Sequence, residues 1–154
     1  MAKIFVDLEN TLIEDWYTPT LLRENVEKIK TLIRKAKVEK IYLWSFAVTN
    51  SKEVEDFNRL LKDFLERALG VSIEVLEINE CFTEVCKANG IKAKPNELTD
   101  VFLFEPKGDL LREWLIAKKI KGNCYLIDDM VRNSSYKQEN LYFECIKMDE
   151  KLEV

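Results

Sequence analysis

The sequence predicts an α/β domain, a three-layer sandwich in which helices cover both faces of a mostly parallel central sheet. Short apolar runs of strand length alternate along the chain with stretches whose apolar residues recur at helical spacing. The 154 residues, 47 % of them hydrophobic, suit one domain with a proper core. No linker, repeat or low-complexity segment interrupts the alternation. A single domain over residues 1–154 is therefore expected.

Taken in order, Lys3–Val6 is a short apolar run ending at Asp7, and Leu21, Leu22, Val26, Ile29, Leu32, Ile33 and Ala36 then mark a helix. Lys40–Ser45 reads as a second buried strand. Val54, Phe57, Leu60, Leu61, Phe64 and Ala68 define one face of a second helix, stopped by Gly70. Val71–Ile78 is a third strand, and Glu80–Ala88 a short helix closed by Asn89-Gly90. Ile91–Thr99, which holds Pro95, is a loop or small excursion. A strand at Val101–Phe104, a helix at Asp109–Lys118, a very apolar strand at Cys124–Ile127 and a last strand at Leu141–Met148 complete the chain. Right-handed crossovers between such units give a Rossmann-like winding. In such sheets the ligand crevice lies at the carboxyl ends of the strands.

Composition restricts the chemistry. The chain has no His, which excludes His-based triads, HExxH-type zinc sites and a near-neutral imidazole switch. With 24 Lys+Arg against 28 Asp+Glu, the net charge of −4 gives no footprint for wrapping nucleic acid. Cys81, Cys86, Cys124 and Cys145 form no CxxC pair and read as reduced, buried thiols. No apolar run approaches the ~18 residues of a membrane span, and Met1–Val6 is too short for a signal-peptide core. The expectation is a soluble, cytoplasmic chain with no membrane partner.

The residues just past the strands are polar and converge: Asp7 with Glu9, then Ser45, then Lys107, then Asp128 and Asp129. Carboxylates gathered in an apolar-walled crevice repel one another unless a divalent cation or a Lys shares the site. Oxygen ligands without His or thiolate select a hard cation, Mg²⁺ before Mn²⁺ or Ca²⁺. A single Asp after a strand is more often a helix cap, so the combination carries the signal.

In these residues the chain resembles the haloacid dehalogenase (HAD) superfamily. Ile4-Phe5-Val6-Asp7-Leu8-Glu9-Asn10-Thr11-Leu12 is similar to its first motif, an apolar strand running into D-x-D-x-T-L. Leu43-Trp44-Ser45 resembles the second, Lys107 stands where the third-motif Lys is expected, and Tyr125-Leu126-Ile127-Asp128-Asp129 resembles the fourth in its D-D form. The resemblance implies a HAD-like fold and a Mg²⁺-dependent phosphatase acting on a phosphomonoester through an aspartyl-phosphate. Asp7 is then the nucleophile, Glu9 the general acid/base, and Lys107 a stabiliser of charge. Ser45 and Thr11 bind phosphoryl oxygens. Asp7, Asp128, Asp129 and the Glu9 carbonyl hold the metal. Glu9 departs from the family's Asp by one methylene, and Asn10 stands where Gly is frequent.

Family members that act on small metabolites usually carry a cap. Here residues 13–21 leave room only for a flap, with Trp16 and Tyr17 as candidate contacts or as a packed staple, and residues 79–100 form at most a small insert. The expected phosphorylated substrate is a nucleic-acid end or phosphoprotein at an open crevice, or a nucleotide if the flap or the second subunit of a homodimer closes it. Two alternatives stand beside this reading. V-D-L-E-N also resembles the start of NYN/PIN-like metal-dependent ribonucleases, with Asp7 and Asn10 matching and Asp100, Asp128 or Asp129 completing an acidic cluster. A HAD-like binding module with little catalysis would equally accommodate Glu9.

Overall fold

The computed structural model describes residues 2–148. Its six-stranded sheet comprises β1 (Lys3–Val6), β2 (Lys40–Leu43), β3 (Ser72–Val75), β4 (Gly122–Asp128), β5 (Ser134–Gln138) and β6 (Leu141–Lys147), in the spatial order β3-β2-β1-β4-β6-β5. All pairings are parallel except that of β5 with β6. The mostly parallel α/β sheet read from the sequence is thus present. The helices are α1 (Arg23–Ala36), α2 (Ser51–Leu60), α3 (Lys62–Leu69), α4 (Ile78–Ala88), α5 (Leu98–Val101) and α6 (Pro106–Ala117).

Alternation along the strands builds the layers, because successive side chains point to opposite faces. Ile4 and Val6 of β1 join one core with Leu43, Ile127 and the inward residues of α1, α2 and α3. Phe5 points the other way, into a second core with Trp44, Leu126 and the inward residues of α4 and α6. All four cysteines are free and buried, as their apolar settings predict.

Four segments differ from the sequence reading. The helix expected across residues 54–68 is broken at Leu61 (φ −124°, ψ −22°) into α2 and α3. Its buried stripe is Phe57, Leu61, Leu65 and Leu69 at strict four-residue spacing, so Leu60 and Phe64 are exposed and not on the core face. Val101–Phe104 is not a strand. Val101 ends α5, Phe102 packs edge-on against Phe82 with ring centroids 6.4 Å apart, and Leu103 and Phe104 face solvent. The polar segment Ser134–Gln138, which has no apolar pattern of its own, becomes a strand through its hairpin pairing with β6. The third strand is shorter than Val71–Ile78, because Ile78 already opens α4.

The two candidate inserts also resolve. Within residues 79–100, most of α4 packs against α6 in the second core, so this segment is part of a helical layer. Residues 13–21 form a small flap pinned by bridges Glu9–Ile13 and Ile13–Leu21, with an Asp15 turn at its tip. Among the described residues no helix is long and apolar enough to cross a membrane.

Leu126 is fully buried in β4, which runs between β1 and β6. Leu126→Ala is expected to lower the free energy of unfolding by about 2–5 kcal/mol, the range for a core leucine truncated to a cavity. Urea denaturation checks this, and a loss well under 1 kcal/mol would mean that this face is not close-packed.

Candidate active site

The chain lays down β1, β2 and β3 in one direction and then crosses to the other side of β1 for β4. The crevice outside the carboxyl ends of β1 and β4 is therefore the switch point at which open α/β sheets bind ligands. Asp7 follows β1 directly, and Asp128 is the last residue of β4. Parallel register places Val6 beside Ile127, and the Asp7 N–H donates to Ile127 O at 3.0 Å. Two carboxylates are thereby forced side by side in an apolar setting.

Among the described residues, the polar or charged side chains that are buried are Asp7, Thr11, Ser45 and Asp128. All four are residues that the sequence singles out. Burial of this kind is costly without partners, and the partner is Lys107. Its Nζ lies 3.0 Å from Asp7 Oδ1 and 2.6 Å from Asp128 Oδ2. Lys107 is the second residue of α6, and its carbonyl accepts a hydrogen bond from Trp44 Nε1 at 3.1 Å. The end of β2 thus fixes the head of α6, and with it the ammonium.

The cleft has a volume of about 680 Å³ and is lined by Asp7, Glu9, Ser45, Lys107 and Asp129, with Phe46, Phe104, Met130 and Arg132 around them. Ser45 Oγ accepts from Ala47 N at 3.1 Å, which leaves its hydroxyl proton for an acceptor in the cleft. Thr11 takes a different place. It is fully buried, does not line the cleft, and donates to Asp7 Oδ2 at 3.4 Å, so it orients that carboxylate. Asp128 Oδ1 accepts from Met130 N at 2.8 Å, which shapes the following loop. Asn133 Oδ1 anchors the same loop by accepting from Lys147 N at 2.8 Å, and the Arg132 N–H donates to Glu105 Oε1 at 3.2 Å.

Glu9 lines the cleft, but its carboxylate accepts from Trp16 N at 2.7 Å and is thereby tied to the flap. Asn10 adopts the left-handed conformation (φ 61°) at the position where Gly is frequent in the motif it resembles. Of the two flap aromatics, Trp16 packs against Phe57 in the first core while Tyr17 is exposed at the tip. Neither lines the cleft.

Carboxylate oxygens of Asp7, Asp128 and Asp129 lie within 4.8 Å of one another. Three ionised carboxylates and one ammonium sum to −2, which a divalent cation would cancel. Asp128 Oδ2 is buried and receives no well-directed hydrogen bond, so Lys107 alone meets its charge there. Hard oxygen donors, compensating charge and a buried lone pair without a directed donor all fit Mg²⁺.

Electrostatics agree with an underbalanced cluster. Burial, reinforced by the Asp128 charge, pushes the Asp7 carboxyl up to about 7 even though Lys107 opposes the shift. Burial and then Asp128 raise Asp129 as well. Burial works against the Lys107 ammonium, but Asp7 and Asp128 outweigh it and hold its pKa above the ordinary lysine value.

Compared with known proteins, the chain matches no family model, no curated protein and no solved structure. The site therefore stands on its own geometry. Phe46, Phe104, Met130 and the Trp44 contact are additions to the residues read from the sequence. Phe46 was findable as the neighbour of Ser45, whereas Phe104 lay hidden in a segment that reads as a strand.

In metal-free protein the folded value for Asp7, about 7, lies above the ordinary aspartate value of 3.8. Between those values the folded state keeps a proton that the unfolded chain has released, so this group's contribution to stability falls as pH rises. Urea midpoints measured in chelator from pH 4 to 7 should show wild type losing stability relative to Asp7→Asn across that window. Parallel curves would show that Asp7 is ionised throughout.

Proposed function

We propose that the chain is a HAD-like, Mg²⁺-dependent phosphatase that hydrolyses a phosphomonoester through an aspartyl-phosphate at Asp7. The observation that carries this is the Lys107 ammonium set between Asp7 and Asp128, three residues from three separate segments meeting within 3.0 Å. The ammonium compensates the burial of the two carboxylates, and the same group stands where it would offset charge on an anionic phosphoryl group attacked by Asp7.

Each residue then has a task. An Asp7 oxygen forms a bond to phosphorus as the bond from phosphorus to the ester oxygen breaks. Glu9, as the acid, gives a proton to the departing oxygen. A water molecule then attacks phosphorus, loses its proton to the Glu9 carboxylate, and releases inorganic phosphate and free Asp7. Lys107 and the Ser45 hydroxyl stabilise the phosphoryl oxygens, and Thr11 holds Asp7 in line. Magnesium, when bound by Asp7, Asp128, Asp129 and the Glu9 carbonyl, supplies the positive charge that keeps Asp7 ionised and screens the transferring group.

The ribonuclease alternative finds less support. Of the cations lining the cleft, Lys107 is held in the acidic cluster and Arg132 faces Glu105, with Nε 3.5 Å from Oε2. No row of unengaged cations lines the cleft for a polyanion to follow. This also weighs against a nucleic-acid end as substrate and for a small or protein-borne monoester.

Turnover of p-nitrophenyl phosphate should require Mg²⁺, stop in chelator and fall at least about 10³-fold in Asp7→Asn. Glu9→Gln should cost about 10²- to 10⁴-fold, the range for a general acid/base. Metal-dependent cleavage of RNA that survives Asp7→Asn would favour the ribonuclease. Phosphate binding with no turnover of any monoester would favour the binding module.

A further inference from the structure

The mouth of the cleft is apolar where a site for a polyanion would be basic. Phe104 and Met130 are 86 % and 79 % exposed although both line the cleft, and Phe46 is 41 % exposed beside them. They come from three separate loops, those after β2, before α6 and after β4. Exposed large apolar side chains cost solvation unless something covers them, and isolated ones are common. Three gathered around one pocket whose floor carries the reactive carboxylate is a different matter.

We infer that the leaving group of the substrate is an aromatic alcohol, so that the ester is an aryl phosphate whose ring seats against Phe46 and Phe104. The inference rests on the phosphomonoesterase reading of the same site. Proximity selects the aryl ester over a nucleotide. The Phe46 ring centroid lies 5.2 Å from Lys107 Nζ, which itself touches Asp7, so the aromatic wall begins immediately beside the reacting atoms. An aryl phosphate carries its ring one oxygen away from phosphorus. A nucleoside 5′-monophosphate holds its base a whole sugar further out, and that sugar would need polar partners where Phe46, Phe104 and Met130 stand. The Met130 thioether adds an adaptable contact at the ring edge. At the rim the Arg132 Nε lies 3.5 Å from Glu105 Oε2, which offsets part of its charge.

Non-hydrolysable probes separate binding from the intrinsic reactivity of aryl esters. Calorimetry with Mg²⁺ present would compare phenylphosphonate, methylphosphonate and the 5′-phosphonate of adenosine on wild type, Phe46→Ala and Phe104→Ala. Phenylphosphonate should bind wild type about tenfold tighter than methylphosphonate, and each Ala variant should shrink that ratio about three- to tenfold, as expected for one aromatic pair. Phe104 is exposed, so its variant tests the idea without endangering the fold. Equal affinity of the phenyl and methyl probes would overturn the aryl assignment while leaving the phosphoryl site intact. Tighter binding of the adenosine probe, weakened by Phe104→Ala, would overturn it in favour of a nucleotide. Failure of all three probes would remove the phosphomonoesterase reading itself.

Discussion

A buried ammonium between two buried carboxylates is the constraint around which the surrounding structure is arranged. β1 and β4 are parallel neighbours ending at the same level, so the register that makes the sheet also forces Asp7 and Asp128 together. Neither can be left uncompensated at that depth. Lys107 must therefore arrive from the chain segment before β4, and α6 has to start where its second residue reaches the crevice. Gly108 follows from this. A Cβ at that position would stand 3.1 Å from Cys145 Sγ on β6, so a residue without a side chain lets the head of α6 lie close on the sheet. Trp44 then pins the Lys107 carbonyl, and Glu105 receives the Arg132 backbone N–H, closing the loop after β4 over the same helix start.

What the sequence makes legible follows from this geometry. β1, β2 and β4 are sheet-interior strands that read as continuous apolar runs, and their ends are marked by polar residues because those residues face the crevice. β5 was illegible for the opposite reason. Ser134–Gln138 is an edge strand whose structure is dictated by β6 beside it, with nothing in its own pattern to bury. Val101–Phe104 misleads in the other sense. Its apolar run signals burial, but the sheet has no place for it, and Leu103 and Phe104 end up exposed, Phe104 at the cleft mouth. The division of the second helix at Leu61 is equally invisible, since Leu60 and Phe64 fit a helical face that the bend turns outward. Asp7, Ser45 and Asp128 are legible by strand-end position, whereas Lys107 is read as following a strand that is absent and instead heads α6, and the role of Thr11 is not legible at all. Only three dimensions show that its hydroxyl serves Asp7 and does not reach the cleft.

Glu9 ties the loop after β1 to the flap. Its longer side chain spans from the loop after β1 to Trp16 N, and Trp16 is itself held by packing on Phe57. The flap is thus braced against the core and cannot swing as a free lid without losing that aromatic contact. The carboxylate is thereby held at the cleft wall. On the proposed chemistry, acid catalysis by Glu9 depends on the flap as much as on the loop that carries it.

Charge decides the order of events at such a site. The cluster of Asp7, Asp128, Asp129 and Lys107 sums to −2 when ionised, and the chain as a whole carries −4. A phosphate dianion approaching it is repelled, while a divalent cation is attracted, and both forces are strengthened by the low polarity of the surrounding walls. A divalent cation held by Asp7, Asp128 and Asp129 would bring the cluster to neutrality and oppose the shift that raises Asp7 to about 7. On the proposed chemistry a phosphoryl group would then meet an ionised Asp7 beside a paired ammonium. On the proposed phosphatase chemistry, this charge balance favours metal before substrate. An apolar rim suits that proposed order, because it would add affinity for the rest of an ester without adding charge that would compete for a cation.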